Sequence, residues 1–256
     1  MKISILLPYK ENFSPKYPGA VSLFVNDTLK LSKYKKLVRV YGNTTYKEKF
    51  SRNYKNIGLK KLFFGSQSEN YMDEFIKIEK KNPSNIIEIH NRPHYLKYLI
   101  NEGVKSKFVL YFHNDPLTMT GSKSLSERKY LVEICEKIIF NSLWSKKRFL
   151  EKIPSGSISS EKLIVIFQSA SKNKINFSKK RKWITFVGKL NRSKGYDIFG
   201  KAVLQILKKY KDWSAIVIGD EQRDKIIFNH NRIKNLGFLE HKKVINIFKK
   251  TSIAVA

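Results

Sequence analysis

Residues 183–202 read W-I-T-F-V-G-K-L-N-R-S-K-G-Y-D-I-F-G-K-A: an apolar strand, a turn carrying Gly188, Lys189 and Lys194, and a run with apolar residues at helical spacing. A strand that turns at a glycine directly into a helix is a phosphate-binding layout. Gly188 lets the backbone turn tightly, the helix start offers N–H groups and the positive end of its dipole, and two ammonium groups converge on one spot. The expected ligand at this turn is an anion such as a pyrophosphate.

On either side of this stretch, short apolar runs alternate with helical periodicity. In the first half strands are expected at 3–7, 37–41, 61–64, 86–90, 108–112, 138–140 and 163–167, with helices at 71–80, 93–102, 124–136 and 142–152. Residues 169–182 break into Ser, Asn and Lys without periodicity. A second series then runs through strand 184–187, helix 193–210, strand 215–218, helix 222–228, strand 233–237, helix 241–250 and strand 253–256. Such alternation argues for parallel sheets covered on both faces. The expected organisation is an α/β chain with a Rossmann-like domain over 1–170, a linker over 171–182 and a second domain over 183–256.

Composition is consistent with packed cores, since 41% of the 256 residues are hydrophobic and 13% aromatic. The one cysteine, Cys135, sits in an apolar pattern and reads as a small buried hydrophobe; with no disulfide framework available, a reducing, cytoplasmic setting is expected. The N-terminal run is too short for a signal peptide and reads as a strand, and no apolar run has the length needed to span a bilayer. Net charge is +30, from 51 Lys+Arg against 21 Asp+Glu. That excess admits a basic module for nucleic acid or an anionic membrane surface. Codon bias explains it more simply, because Lys, Asn and Ile are all abundant, so nucleic acid is the disfavoured partner. Peripheral contact with anionic lipids at the inner face of the membrane fits the same surface.

The 183–202 stretch resembles the G-R/K-L-x-x-x-K-G-x-D motif that opens the donor-binding domain of family 4 glycosyltransferases, with Lys189 where many members have Arg. Further segments resemble the family in order. Val217-Ile218-Gly219-Asp220 is similar to its strand ending in glycine, and Asn235-Leu236-Gly237-Phe238-Leu239 to the loop beside which the nucleobase lies, which makes Gly237, Phe238 and Leu239 nucleobase-adjacent candidates. Residues 244–253 match the next helix and strand, with Ser252 for the usual acidic residue. The resemblance implies the GT-B fold of two Rossmann-like domains with parallel sheets, the second incomplete. The chain stops at Ile253-Ala254-Val255-Ala256, inside what reads as a buried strand, before the family's Pro-Ser turn and E-x7-E carboxylate pair.

By the same resemblance, Tyr17-Pro18-Gly19-Ala20 stands where the family's glycine-rich loop approaches the donor phosphates, so Gly19 joins Gly188, Lys189 and Lys194 as a phosphate-binding candidate; a plain turn before a helix is the competing reading. His113, in Tyr111-Phe112-His113-Asn114-Asp115-Pro116, corresponds to a strand-end histidine near the sugar and is the catalytic candidate. At the end of the preceding strand, His90, Asn91 and Arg92 repeat the arrangement on the acceptor side. Ser142 reads as a helix cap.

The implied activity is transfer, with retention, of a hexose from a nucleotide-diphosphate donor to a saccharide or lipid-linked acceptor of cell-envelope polysaccharide or lipopolysaccharide type. Lys189 and Lys194 would stabilise the departing nucleoside diphosphate. The resemblance calls for neither cofactor nor metal; the five histidines include no i, i+4 pair with a glutamate between, and no G-x-S-x-G elbow follows a strand. A piece that ends before E-x7-E is expected to be inactive or weakly active by itself. A sugar-nucleotide 2-epimerase of the same fold is the alternative within the fold class, and the K-L-x-x-x-K-G-x-D form of 189–197 favours the transferase.

Overall fold

The computed structural model describes residues 1–59, 66–169, 173–220 and 226–255. Two compact units divide the chain, Met1–Ala170 and Ser171–Ala256. The first alternates β1 (Ile3–Leu6), α1 (Ala20–Leu31), β2 (Val38–Gly42), β3 (Tyr54–Asn56), α2 (Gln67–Lys81), β4 (Ile86–His90), α3 (His94–Asn101), β5 (Lys107–Phe112), α4 (Leu125–Ile134), β6 (Cys135–Phe140), α5 (Leu143–Leu150) and β7 (Leu163–Val165). Its seven strands form one parallel sheet in the order β3-β2-β1-β4-β5-β6-β7.

Side chains alternate between the two faces of this sheet, and each face has its own core. Leu6, Ile87, Ile89, Leu110, Phe112 and Phe140 point to the side where Phe75, Leu99, Leu131 and Phe149 come down from the helices. Ile5, Leu7, Val38 and Val40 point the other way, against Val21, Val25 and Leu29 of α1. The helix starts are specified locally. Ser124 Oγ accepts from Glu127 N at 3.1 Å while the Glu127 carboxylate accepts from Ser124 N at 2.8 Å, a reciprocal capping box, and Ser142 caps α5 by accepting from Ser145 N.

Three differences from the sequence reading have physical causes. Helix periodicity runs to residue 136, yet α4 stops at Ile134 and β6 begins at once, because Cys135 pairs with Phe108 of β5 and is buried there. β3 was not expected: it has a single buried side chain, Tyr54, stacked on Phe13 at 5.2 Å, so it carries no periodic signal. β7 ends at Val165, leaving Ile166 and Phe167 exposed beyond the sheet. The expected strand at 61–64 lies outside the described residues.

The second unit consists of β8 (Arg181–Val187), α6 (Tyr196–Lys209), β9 (Ser214–Ile218), β10 (Ile233–Asn235), α7 (His241–Phe248) and β11 (Thr251–Val255), its four strands parallel in the order β10-β9-β8-β11. β8 starts at Arg181, inside the stretch read as linker, and the Arg181 guanidinium lies over Trp183 at 4.8 Å. Of the expected helix at 222–228, residues 222–225 lie outside the described residues and 226–228 are irregular. Phe228 packs on Tyr196 and against Gly200, where a Cβ would come within 2.0 Å of its ring. Among the described residues β11 pairs with β8, and Ile253 is 46% exposed.

Candidate functional site

In each sheet the strand order reverses once in sequence, between β1 and β4 in the first and between β8 and β11 in the second. Connections leave such a point in opposite directions, so the carboxyl ends of those strands are left open to ligands. Both groups of candidate residues stand at these ends or on the next strand.

In the second unit a glycine stands just beyond each of β8, β9 and β10. Gly188 N donates to Ile218 O at 3.0 Å and Gly219 N to Gly237 O at 2.8 Å, which draws the ends of β8, β9 and β10 together. Gly219 has φ +137° and a Cβ there would lie 1.8 Å from the Gly188 carbonyl oxygen, so no other residue fits. Gly188 itself has no such requirement: a Cβ would meet only the Phe186 ring, at 3.6 Å. In the turn from β8 into α6 the positive φ is thus taken by Gly195, at +67°, and not by Gly188, while Gly219 carries the constraint at the end of β9.

The helix start also differs from expectation. Residues Arg192–Lys194 form a 3-10 turn capped by Asn191, whose Oδ1 accepts from Lys194 N, and α6 begins only at Tyr196. Lys189 and Lys194 are exposed, and among the described residues neither has an acidic partner. Lys189 and Lys194 therefore stand, exposed, on one loop at the switch point. Leu239 packs with Ile216, Ile218 and Val244, while Gly237 and Phe238 remain part-exposed.

The first unit places His113 just beyond β5 and clamps it from both neighbouring strands. Its N–H donates to Asn91 Oδ1 at 2.7 Å, and its carbonyl accepts from Asn141 Nδ2 at 2.8 Å. Asn91 holds this position with φ +52°, a left-handed conformation that Asn adopts more readily than other side-chain-bearing residues. The imidazole stacks on Tyr111 at 4.6 Å and meets Phe24 of α1 edge-on at 4.9 Å. His113 Nε2 is 2.8 Å from His90 Nδ1, His90 Nε2 is 2.8 Å from Glu88 Oε1, and Gln168 Nε2 is 2.8 Å from His113 Nδ1. Burial, with His90 beside it, lowers the His113 imidazole to about 3, which keeps it neutral near pH 7.

This geometry corrects the acceptor-side expectation. His90 is wholly buried and Asn91 nearly so, and both spend their side chains holding His113; of that trio only Arg92 reaches solvent. Gly19 is likewise engaged by the chain itself. It precedes α1, and the Glu11 carboxylate sits where its Cβ would be, at 1.9 Å, while accepting from Ser22 N at 2.9 Å. The anion at this helix start is thus Glu11, and the buried Ser22 hydroxyl beside it has no hydrogen-bond partner among the described residues. Glu88, Gln168, Glu11 and Ser22 escaped sequence reading. The available signal was Glu88-x-His90, two polar residues on one face of an otherwise apolar strand.

Residues 167–256 match the family described as Glycosyl transferases group 1. Among solved structures, Anabaena HepE in complex with UDP and glucose is similar, with a TM-score of 0.67 at 17% identity over 99% of this chain and 73% of that one. The lipopolysaccharide outer core galactosyltransferase WaaB, apo form, gives 0.59 at 13% over 99% and 73%. The fold is GT-B. A UDP-GlcNAc 2-epimerase from Neisseria meningitidis bound to UDP-GlcNAc shares it, with 0.60 at 12% over 99% and 76%, so the GT-B architecture is common to transferases and epimerases. No curated protein sequence matches the chain at a significant level. Within this GT-B chain the family match covers all of the glycine-lysine loop.

Proposed function

We propose that this chain is a glycosyltransferase that takes a hexose from a nucleotide-diphosphate donor and passes it, with retention, to a saccharide or lipid-linked acceptor of cell-envelope type. The observation that carries the reading is the Gly188–Lys194 loop, which holds two exposed lysines, without an acidic partner among the described residues, at the switch point of the second sheet and lies inside the segment matching group 1 transferases. As the glycosidic bond breaks, charge grows on the departing nucleoside diphosphate. An ammonium at ~4 Å interacts with it by ~4 kcal/mol in a surface-like effective dielectric of about 20, before desolvation. Lys189 and Lys194 have this role, and Gly237, Phe238 and Leu239 lie beside the base. His113, neutral and half-buried, binds the transferred sugar or its acceptor by a hydrogen bond rather than by taking a proton. The basic surface, with net charge +30, favours peripheral contact with anionic lipids.

Calorimetric titration with UDP tests the donor site. Lys194→Ala should weaken binding by ~1.5 to 3 kcal/mol, the worth of a charge-assisted hydrogen bond, and Lys209→Ala should leave it unchanged. Equal losses from the two would mean nonspecific attraction to a basic surface. Product analysis after incubation with a UDP-sugar and acceptor separates the two activities of this fold: free UDP with a new glycoside supports transfer, and an epimerised UDP-sugar refutes it.

A further inference from the structure

Four polar groups in the first unit make a chain with one direction. A carboxylate can only accept, so His90 Nε2–H donates a hydrogen bond to Glu88 Oε1 across 2.8 Å. A neutral imidazole has one N–H, which leaves His90 Nδ1 as an acceptor. The contact of 2.8 Å from His90 Nδ1 to His113 Nε2 then requires the proton to sit on His113 Nε2. His113 Nδ1 is in turn left with a lone pair, and the exposed Gln168 presents its amide nitrogen, not its oxygen, to that atom at 2.8 Å. The amide orientation is the one this direction demands.

We infer that Glu88 and His90 are positioning residues that hold His113 with Nδ1 as a hydrogen-bond acceptor, so that this strand end takes a ligand hydroxyl and rejects a phosphate or carbonyl oxygen. The inference rests on the glycosyltransferase reading only for the ligand: the hydroxyl is one of the donor sugar or of the acceptor, and it displaces the Gln168 amide. Glu88 is the origin of the direction. His90 is wholly buried among Tyr111, Phe24 and His113, so within the chain of bonds only Glu88 fixes which of its nitrogens is protonated. Without that carboxylate the same contacts are satisfied in reverse, with His90 Nδ1–H donating to His113 Nε2, His113 Nδ1–H pointing outward and Gln168 turned to offer its oxygen. An outward N–H would pair with a phosphate or carbonyl oxygen, which is the opposite selectivity.

The test is nitrogen NMR of the full chain labelled at histidine and recorded at pH 8, without ligand. Expected in the parent are a protonated, pyrrole-type Nε2 and a bare, pyridine-type Nδ1 on both His90 and His113. Glu88→Met, similar in volume, should give averaged shifts of the two tautomers, and so should Glu88→Gln, whose amide can donate as well as accept and so fixes no direction. A merely structural Glu88 would leave the tautomer unmoved in all three. A protonated Nδ1 on His113 in the parent overturns the inference outright, even if neither variant folds, and so does an unchanged pattern in Glu88→Met. Titration with UDP-glucose then separates the two readings. Loss of the Gln168 amide contact with His113 Nδ1 remaining bare supports the hydroxyl, and protonation of Nδ1 on binding overturns it. Absence of any UDP-glucose binding while the tautomer pattern holds condemns the glycosyltransferase reading and leaves the lock on His113 standing.

Discussion

At the scale of single residues, His113 is defined by what it cannot do. An imidazole lowered to about 3 is too weak a base to collect a proton near pH 7, so under the proposed function it acts by directional hydrogen bonding and not as a base. In an enzyme completed through the E-x7-E pair, His113→Ala should therefore cut kcat more than tenfold while the Kd for UDP stays within about twofold, measured by steady-state kinetics with donor and acceptor varied separately. Turnover within about twofold of the parent, under ~0.5 kcal/mol in the barrier, would reduce the histidine to a strand-end packing residue. The sequence placed His113 at the end of a buried strand before Asn-Asp-Pro, and that was legible. Its partners were not, because Glu88, Asn91, Asn141 and Gln168 come from three other strand ends or beyond and meet only when the sheet forms.

At the scale of elements, the two loop glycines after β8 and β9 carry opposite expectations. Gly219 combines φ +137° with a backbone oxygen 1.8 Å from any Cβ, whereas Gly188 has ordinary space around it. Gly219→Ala should cost at least ~2 kcal/mol, because both the left-handed strain and the clash must be relieved by separating the ends of β8 and β9. Gly188→Ala should stay within about 1 kcal/mol, and urea denaturation of the pair checks the contrast. A motif read from sequence assigns the turn to Gly188 since it follows the strand directly. The fold gives the positive φ of that turn to Gly195 and the constraint to Gly219, because the constraint arises from the approach of a second strand. Helix α4 illustrates the same limit, since its capping box was local but its end was set by the pairing of Cys135 with β5.

At the scale of the whole molecule, the buried histidines link folding to pH. Below the ordinary value of 6.5 the unfolded chain binds protons that folded His113 refuses, so the unfolded state holds more protons and stability falls as pH drops from 6.5 toward about 3. Above 6.5 both states are neutral there and the contribution is flat. His94, also lowered by burial, acts in the same direction. Each contributes at most ~1.4 kcal/mol per pH unit. The stability difference between pH ~7.5 and ~5.0 should accordingly shrink in His113→Gln by up to ~2 kcal/mol, read from denaturant curves; an equal difference in parent and variant would show that His113 titrates normally. Cys135, 1% exposed with its thiol pushed up to about 12 by burial, should resist a disulfide exchange reagent until the first unit unfolds.

What the sequence determined alone are the properties that depend on neighbours along the chain: the β-α alternation, most strand positions, the helix caps, the burial of Cys135 and the glycine-lysine loop with its two cations. Periodicity and capping act within a few residues, so they can be read without the fold. Tertiary structure decided the rest. It put Glu11 at the start of α1, moved the conformational constraint from Gly188 to Gly219, and withdrew His90 and Asn91 from the surface to hold His113. Each of these depends on which strand lies beside which, and a parallel sheet brings such neighbours together only through crossovers of a dozen residues or more, roughly, beyond the reach of any local pattern.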